Sequence, residues 1–274
     1  MNVARTIVKL EGDVQALVVV GGAMGDRLLE LLVEENVPVL ECRVSGETSY
    51  SLAVSDEETE EQFRFTLPGG GMNADEGHRL LDELSRVVPR DGVVVLSGGN
   101  ATGLPDDFPQ KVQDVVRRRN GRLIVDTSKA PLMRLIEAPI APLDVLRLDR
   151  SEIEKAIDRP LQSVGENLAF AEELVQRGVA KTVVTGHGAK GSGMVAAGHK
   201  FFCHAPKVSV RSKIGAGDAM VGALTLSLSR DEPPEQALKW GVAAAAATVG
   251  TDGTALCGLA EVKGLFDQCR LESF

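Results

Sequence analysis

The apolar residues of this chain fall into two alternating textures. Short continuous runs, Leu17–Val20, Val93–Leu96, Leu123–Val125, Val145–Leu148 and Thr182–Thr185, read as strands buried on both faces. Between them, apolar residues recur three and four apart: Leu28, Leu29, Leu31 and Leu32; Leu80, Leu81, Leu84, Val87 and Val88; Val112, Val115 and Val116; Met220, Leu224 and Leu228. That spacing places a stripe along one face of a helix. Further helices are predicted over Asn2–Leu10, Ser151–Ala156, Ser163 to about Arg177, Pro234–Val249 and from about Ala260, with two more strands around Met194–Ala197 and Lys200–His204. Asn73 with Glu76, and Ser163 with Glu166, have the offset of a capping box. Strands alternating with helices predict an α/β fold with a mostly parallel sheet covered on both faces. Ligands of such sheets bind beyond the carboxyl ends of the strands, where Ser97, Asp126, Asp149, Gly186 and Asp218 all fall.

One region breaks the alternation. Val37–Val44, Tyr50–Val54 and Gln62–Leu67 are β-rich, no helix separates them, and the acidic run Asp56–Glu61 lies between the last two. This predicts a small antiparallel patch with a solvated acidic hairpin tip, contributed by about 40–67 to one domain covering 1–274.

Composition removes some classes of function. A net charge of −9 argues against nucleic acid or an anionic membrane as the main partner. No apolar run is long enough to span a bilayer, and the first residues lack a signal-peptide pattern. Cys42, Cys203, Cys257 and Cys269 are scattered, as free thiols in a reducing cytoplasm would be. His78, His187, His199 and His204 have no metal-ligand spacing.

Candidate chemistry gathers at Lys213-Ile214-Gly215-Ala216-Gly217-Asp218-Ala219-Met220, where extended chain turns into the helix bearing Met220, Leu224 and Leu228. Small residues there leave backbone N–H groups bare at a helix N-terminus, which attracts anions. A carboxylate among them suits a base that takes a proton from a hydroxyl while the N–H groups steady a phosphoryl group. The same residues also suit a tight turn followed by an ordinary first-turn acid. Gly21-Gly22-Ala23-Met24-Gly25 also joins a strand to a helix, but its spacing is not G-x-G-x-x-G, so a plain crossover turn is the reading. Asp126 reads as a strand-end acid capping the next turn, and Trp240 as helix packing.

Across nearly its whole length the chain resembles the PfkB, or ribokinase-like, carbohydrate kinases, within them the bacterial type-2 phosphofructokinase and tagatose-6-phosphate kinase branch. Gly215-Ala216-Gly217-Asp218 with Ala219-Met220-Val221-Gly222 carries the resemblance most specifically. Asn2-Val3-Ala4-Arg5, Arg64-Phe65 with Pro68-Gly69, Ser97-Gly98, Val125-Asp126-Thr127-Ser128, Gly188-x-x-Gly191 and Gly253-Thr254-Ala255-Leu256-Cys257 support it. It implies a three-layer αβα sandwich with a small β lid, the antiparallel patch above, and a homodimer formed through that lid. It also implies transfer of the ATP γ-phosphoryl group to a sugar or sugar-phosphate hydroxyl, with Mg²⁺ and in some members K⁺. By the same resemblance Asp218 is the catalytic base, and the N–H groups of Gly215, Ala216 and Gly217 form the anion hole. Asn2, Ser97 and Gly98 fall at substrate-binding positions. Gly186, Gly188, Gly191, Ser212, Lys213, Val242 and Ala246 fall around the nucleotide. Glu152 matches an acid that organises Mg²⁺ and phosphate, and Thr251 and Gly253 lie in a monovalent-cation loop.

Several positions depart from the family pattern. Its opening strand, substrate-binding aspartate and most of a Gly-Gly-Lys-Gly turn would precede Asn2 and have no match here. Either the start is placed late or this member has lost part of its sugar site. A substrate-phosphate arginine aligns with Ser49, Ser-Gly-Ser reads Ser97-Gly98-Gly99, and Lys-Pro-Asn reads Arg147-Leu148-Asp149. The usual threonine before the anion hole is Lys213, able to add charge at the phosphate site or to pair with Asp218, and the serine heading the nucleotide loop is Gly186. Each lost charge-assisted hydrogen bond costs roughly 1.5–3 kcal/mol. The alternative to a working kinase is therefore a non-catalytic family member that keeps nucleotide binding.

Overall fold

From the amino end the elements run α1 (Asn2–Lys9), β1 (Ala16–Val20), α2 (Gly22–Glu34), β2 (Val39–Arg43), β3 (Tyr50–Ser55), β4 (Gln62–Leu67), α3 (Ala74–Val87), β5 (Val93–Ser97), α4 (Phe108–Arg117), β6 (Arg122–Asp126), α5 (Lys129–Glu137), β7 (Leu143–Leu148), α6 (Arg150–Ala156), α7 (Val164–Gln176), β8 (Ala180–Gly186), β9 (Gly191–Ala196), β10 (His199–His204), α8 (Ala216–Ser229), α9 (Pro234–Val249), α10 (Leu259–Phe266) and β11 (Arg270–Ser273). The structure, a computed structural model, describes residues 1–55 and 62–274, so the acidic run predicted as a hairpin tip lies outside the described residues. The chain divides into a larger unit, Met1–Asp13, Val87–Asn100 and Pro105–Phe274, and a smaller one, Val14–Arg86 and Ala101–Leu104.

The larger unit holds a sheet in the order β11-β10-β9-β8-β7-β6-β5. Strands β5 to β8 are parallel; β9 and β11 run against their neighbours, so the sheet is mostly parallel. Its apolar runs are the core: Val125, Leu146, Leu148, Val183, Val184 and Met194 are wholly buried. Helices α4 to α7 pack as one layer, and α8 with α9, flanked by α1 and α10, as the other, giving the three-layer sandwich. Trp240 packs on Phe266, ring centroids 4.4 Å apart, and all four cysteines are buried and free. No helix among the described residues is long and apolar enough to cross a membrane.

The packing of α1 on α8 sets up the site. A Cβ at Gly222 would lie 2.9 Å from Thr6 Cβ and 3.0 Å from the Val3 carbonyl oxygen, so at this position α1 packs directly against the backbone of α8. That brings Asn2, the first residue of α1, beside the first turn of α8.

Two elements escaped the sequence pattern. Helix α5 opens on Lys129 at φ +60° and carries Pro131 in its first turn, which hides its short apolar stripe. Strand β11 is a four-residue edge strand with no alternation to read.

In the smaller unit β2 is not part of an antiparallel patch. It pairs parallel with β1, from Ala16 opposite Val39 to Val20 opposite Arg43, with α2 as the crossover. The antiparallel piece is β3–β4 alone, with Tyr50 opposite Leu67, Leu52 opposite Phe65 and Val54 opposite Phe63. Side chains alternate along a strand, so these six share one face, and each is 39–56 % exposed. The Gly21-Gly22 turn is filled by the chain itself: Glu47 Oε1 accepts from Met24 N at 2.8 Å and Thr48 Oγ1 from Gly21 N at 2.9 Å. No donor of that turn is left for a dinucleotide at those two positions. The predicted capping box of α3 is present, and Glu76 also accepts from Ser45 N and Oγ at 2.7 and 2.8 Å.

Two outcomes follow. Gly222→Ala forces α1 off α8 and should lower unfolding free energy by about 1–3 kcal/mol in urea denaturation. Hydrogen bonds from Ser45 and Asn73 hold the Glu76 carboxyl below its usual value of 4.5. The stability it contributes is therefore present above that value and lost as pH falls through the lowered one. Glu76→Gln should depress the thermal midpoint at pH 7, and the gap to wild type should close as the scans move into strong acid.

Candidate active site

The extended chain before α8 turns into the helix at Gly215, whose φ of +79° is left-handed. That conformation favours glycine, and a Cβ there would also press on Leu256 Cδ2 at 2.7 Å. Ser212 fixes the approach: its Oγ donates to the Gly253 carbonyl at 2.7 Å and accepts from Ile214 N at 3.2 Å. Ala216, Gly217 and Asp218 form the first turn, where N–H groups lack intrahelical partners and the helix carries partial positive charge.

Asp218 is held at both oxygens. Asn2 Nδ2 donates to Oδ2 at 2.9 Å, and Ser97 Oγ, from the carboxyl end of β5, to Oδ1 at 3.3 Å. These contacts join residues 216 and 121 positions apart, and both were singled out from the sequence. Lys213 does not pair with Asp218; it is exposed, and Asn2 and Ser97 occupy the carboxylate instead. Gly98, at φ +104°, faces open space, its N–H donating to the Asp126 carbonyl at 2.9 Å.

A cation lies beside this helix end. Sheet register sets Ser97 opposite Asp126 and Asp126 opposite Arg147, a row across the carboxyl ends of β5, β6 and β7. Arg147 Nη1 meets Asp126 Oδ1 at 3.1 Å, with both side chains largely buried. Arg147 Nη2 would be 3.2 Å from a Cβ at Gly217, so that glycine leaves room for the guanidinium, whereas a Cβ at Gly186 would meet it at an ordinary 3.7 Å. Burial pushes the Asp126 carboxyl up, Arg147 pulls it down, and the negative charges of Asp218 and Asp149 add to the rise. Asp126 thus forms an ion pair rather than capping the following turn. The sequence held a signal for this, opposite charges at the ends of adjacent strands, but only the register brings them together.

Glu152 is the third residue of α6 and makes, with Asp149, the capping box that opens it. Its Oε2 accepts from Asp149 N at 2.7 Å, while Asp149 Oδ1 accepts from Glu152 N at 2.8 Å. Burial raises its carboxyl too; the hydrogen bond from Asp149 N and the charge of Arg147 oppose the rise, and the charges of Asp149 and Asp126 add to it. Among the described residues no three acidic, histidine or cysteine side chains are disposed to hold a metal ion.

The glycines predicted around the nucleotide separate into different roles. Gly188, at φ +60°, has nothing within 4 Å of a Cβ. Gly191 is required by the sheet: a Cβ would fall 2.0 Å from the Cys203 carbonyl oxygen on β10. Just before Gly188, His187 is buried against Phe202, and burial lowers its pKa. Val242 and Ala246 lie one turn apart on the buried side of α9. Past the end of α9, Thr251 Oγ1 lies 2.8 and 2.7 Å from the carbonyl oxygens of Thr248 and Ala255. Gly253 follows at φ +56°.

Truncating one partner of a buried ion pair strands the other charge, at roughly 3–5 kcal/mol. Arg147→Ala should therefore destabilise the chain strongly in urea, while Arg147→Ala with Asp126→Ala should recover most of the loss.

Comparison with protein families matches residues 1–261 to the pfkB family carbohydrate kinases. The chain is 35% identical over 269 residues to ATP-dependent 6-phosphofructokinase isozyme 2 of Mycobacterium tuberculosis, covering 97% of this chain and 78% of that protein. It is 30% identical over 276 residues to the 1-phosphofructokinase of Xanthomonas campestris, covering 100% of this chain and 79% of that protein. Among solved structures, Escherichia coli phosphofructokinase-2 in complex with potassium superposes with a TM-score of 0.91 at 31% identity, covering 97% of this chain and 85% of that one.

Proposed function

The chain belongs to the pfkB family of carbohydrate kinases and is an ATP-dependent kinase; from that membership we propose that it phosphorylates a hydroxyl of a sugar phosphate, with Asp218 as the base. The observation that carries this reading is the carboxylate held by Asn2 and Ser97 in the first turn of a helix whose N-terminus lies beside Arg147. Asp218 accepts the proton of the acceptor hydroxyl as its oxygen attacks the γ-phosphorus of ATP and ADP leaves. The N–H groups of Gly215, Ala216 and Gly217 take up charge developing on the transferring group, which costs no reorganisation because the helix fixes them. Arg147, in the place of the family's lysine, adds a fixed positive charge. Asn2, Ser97 and Gly98 line the acceptor side, and Gly186, Gly188, Gly191, Ser212, Lys213, Val242 and Ala246 the nucleotide side.

The residues present fit Mg²⁺ carried in with the nucleotide. Glu152 is an oxygen donor whose charged form burial disfavours, and Mg²⁺ takes one or two carboxylates together with phosphates and water. When bound it neutralises phosphate charge. Thr251 and Gly253 lie in a turn rich in carbonyl oxygens that suits K⁺. Four buried free thiols suit a cytoplasmic setting.

The test is a coupled ADP-release assay with Mg-ATP and fructose 6-phosphate, tagatose 6-phosphate or fructose 1-phosphate. Turnover should depend on one of the sugars, and Asp218→Asn should lower kcat by about 10²–10⁴-fold. Full activity in Asp218→Asn would remove the base. ATP binding without turnover on any sugar would favour a non-catalytic family member.

We also propose a homodimer formed through β3–β4. Tyr50, Leu52, Val54, Phe63, Phe65 and Leu67 present an apolar face, and a second copy would cover it with its own. Phe65→Asp should convert a dimer to a monomer in light scattering; a wild-type chain that is monomeric at micromolar concentration would contradict this.

A further inference from the structure

We propose that Arg5 is a positioning residue for Asp218, acting through the side-chain amide of Asn2; this rests on the reading of Asp218 as the base. An asparagine amide offers a donor and an acceptor of nearly the same shape, and only its donor end is favourable beside a carboxylate. Arg5 Nη1 donates to Asn2 Oδ1 at 2.9 Å, and Asn2 Nδ2 donates to Asp218 Oδ2 at 2.9 Å. A guanidinium has no acceptor, so the amide cannot turn over while Arg5 stands against its oxygen. The backbone of Asn2 is held separately, its carbonyl accepting from Thr6 Oγ1 at 2.9 Å. Side-chain rotation is therefore the freedom that Arg5 removes. With Ser97 on the other oxygen, the plane of the carboxylate is fixed before any substrate arrives.

Arg5 reaches a second element. Its Nη1 also lies 3.4 Å from the carbonyl oxygen of Thr254, in the turn that carries Thr251 and Gly253. Half-buried on α1, Arg5 thereby ties that turn to the carboxylate through one amide. A shift of the turn that drew the guanidinium toward Thr254 would release the Asn2 amide and, with it, one oxygen of Asp218.

The test reads the Asn2 side-chain amide in ¹⁵N NMR spectra of the full chain, together with steady-state kinetics. In wild type the two amide protons should be well separated and slow to exchange. Arg5→Ala should move them toward free-amide positions, and Arg5→Lys should keep them closer to wild type. In Arg5→Ala, kcat should fall on the order of tenfold to a hundredfold with KM for ATP unchanged. Added to Asn2→Ala, the same substitution should lower kcat far less than it does in wild type, because the part of its effect that passes through that amide is already gone. An Asn2 signal that ignores Arg5→Ala, or losses that multiply in the double variant, would overturn the proposal. Full turnover in Asp218→Asn, run alongside, would instead remove the base itself, whatever the amide signal does.

Discussion

The partial positive charge at the start of α8 is the constraint around which the larger unit is arranged. Three small residues leave its N–H groups bare, and Gly215 turns the chain there in a conformation other residues rarely adopt. A bare helix end attracts any anion, so what surrounds it decides what it does. Here a carboxylate sits inside the first turn and a guanidinium beside it. The smaller unit shows the opposite solution at Gly21-Gly22, where Glu47 and Thr48 meet the donors and leave an ordinary crossover turn.

Charge balance at the sheet edge follows from the same constraint. A cation beside a positive helix end is unfavourable alone, and Asp126 offsets it through a largely buried ion pair. Asp126, Asp149, Glu152 and Asp218 then crowd their charges together, and burial raises the first and third of the four as acids. Such an edge is poised for a polyanion bringing its own cation, which is the form in which nucleotides meet kinases.

What the sequence revealed and what it hid divide along a physical line. Features set within a few residues were legible: the Gly-Ala-Gly-Asp turn, the Asn73–Glu76 box, the buried apolar runs. Contacts that depend on register were not. Asp126 was read as a cap because nothing local shows that Arg147 stands opposite it one strand away. The alternation of Tyr50, Leu52 and Val54 is plain in the chain, but only the pairing with Leu67, Phe65 and Phe63 makes one exposed apolar face. Strand β2 was assigned to the antiparallel patch because sequence texture cannot distinguish a parallel partner across a helix from an antiparallel neighbour. Lys213 looked like a partner for Asp218 by proximity in sequence, yet residues 216 and 121 positions distant took that place.

The most direct measurement is a crystal structure with a non-hydrolysable ATP analogue, Mg²⁺ and a sugar phosphate. Convergence of the chemistry on α8 requires the γ-phosphate oxygens to lie within hydrogen-bond distance of the N–H groups of residues 215–217, with the acceptor hydroxyl in reach of Asp218. A γ-phosphate bound elsewhere, or an acceptor hydroxyl out of reach of that carboxylate, would contradict it.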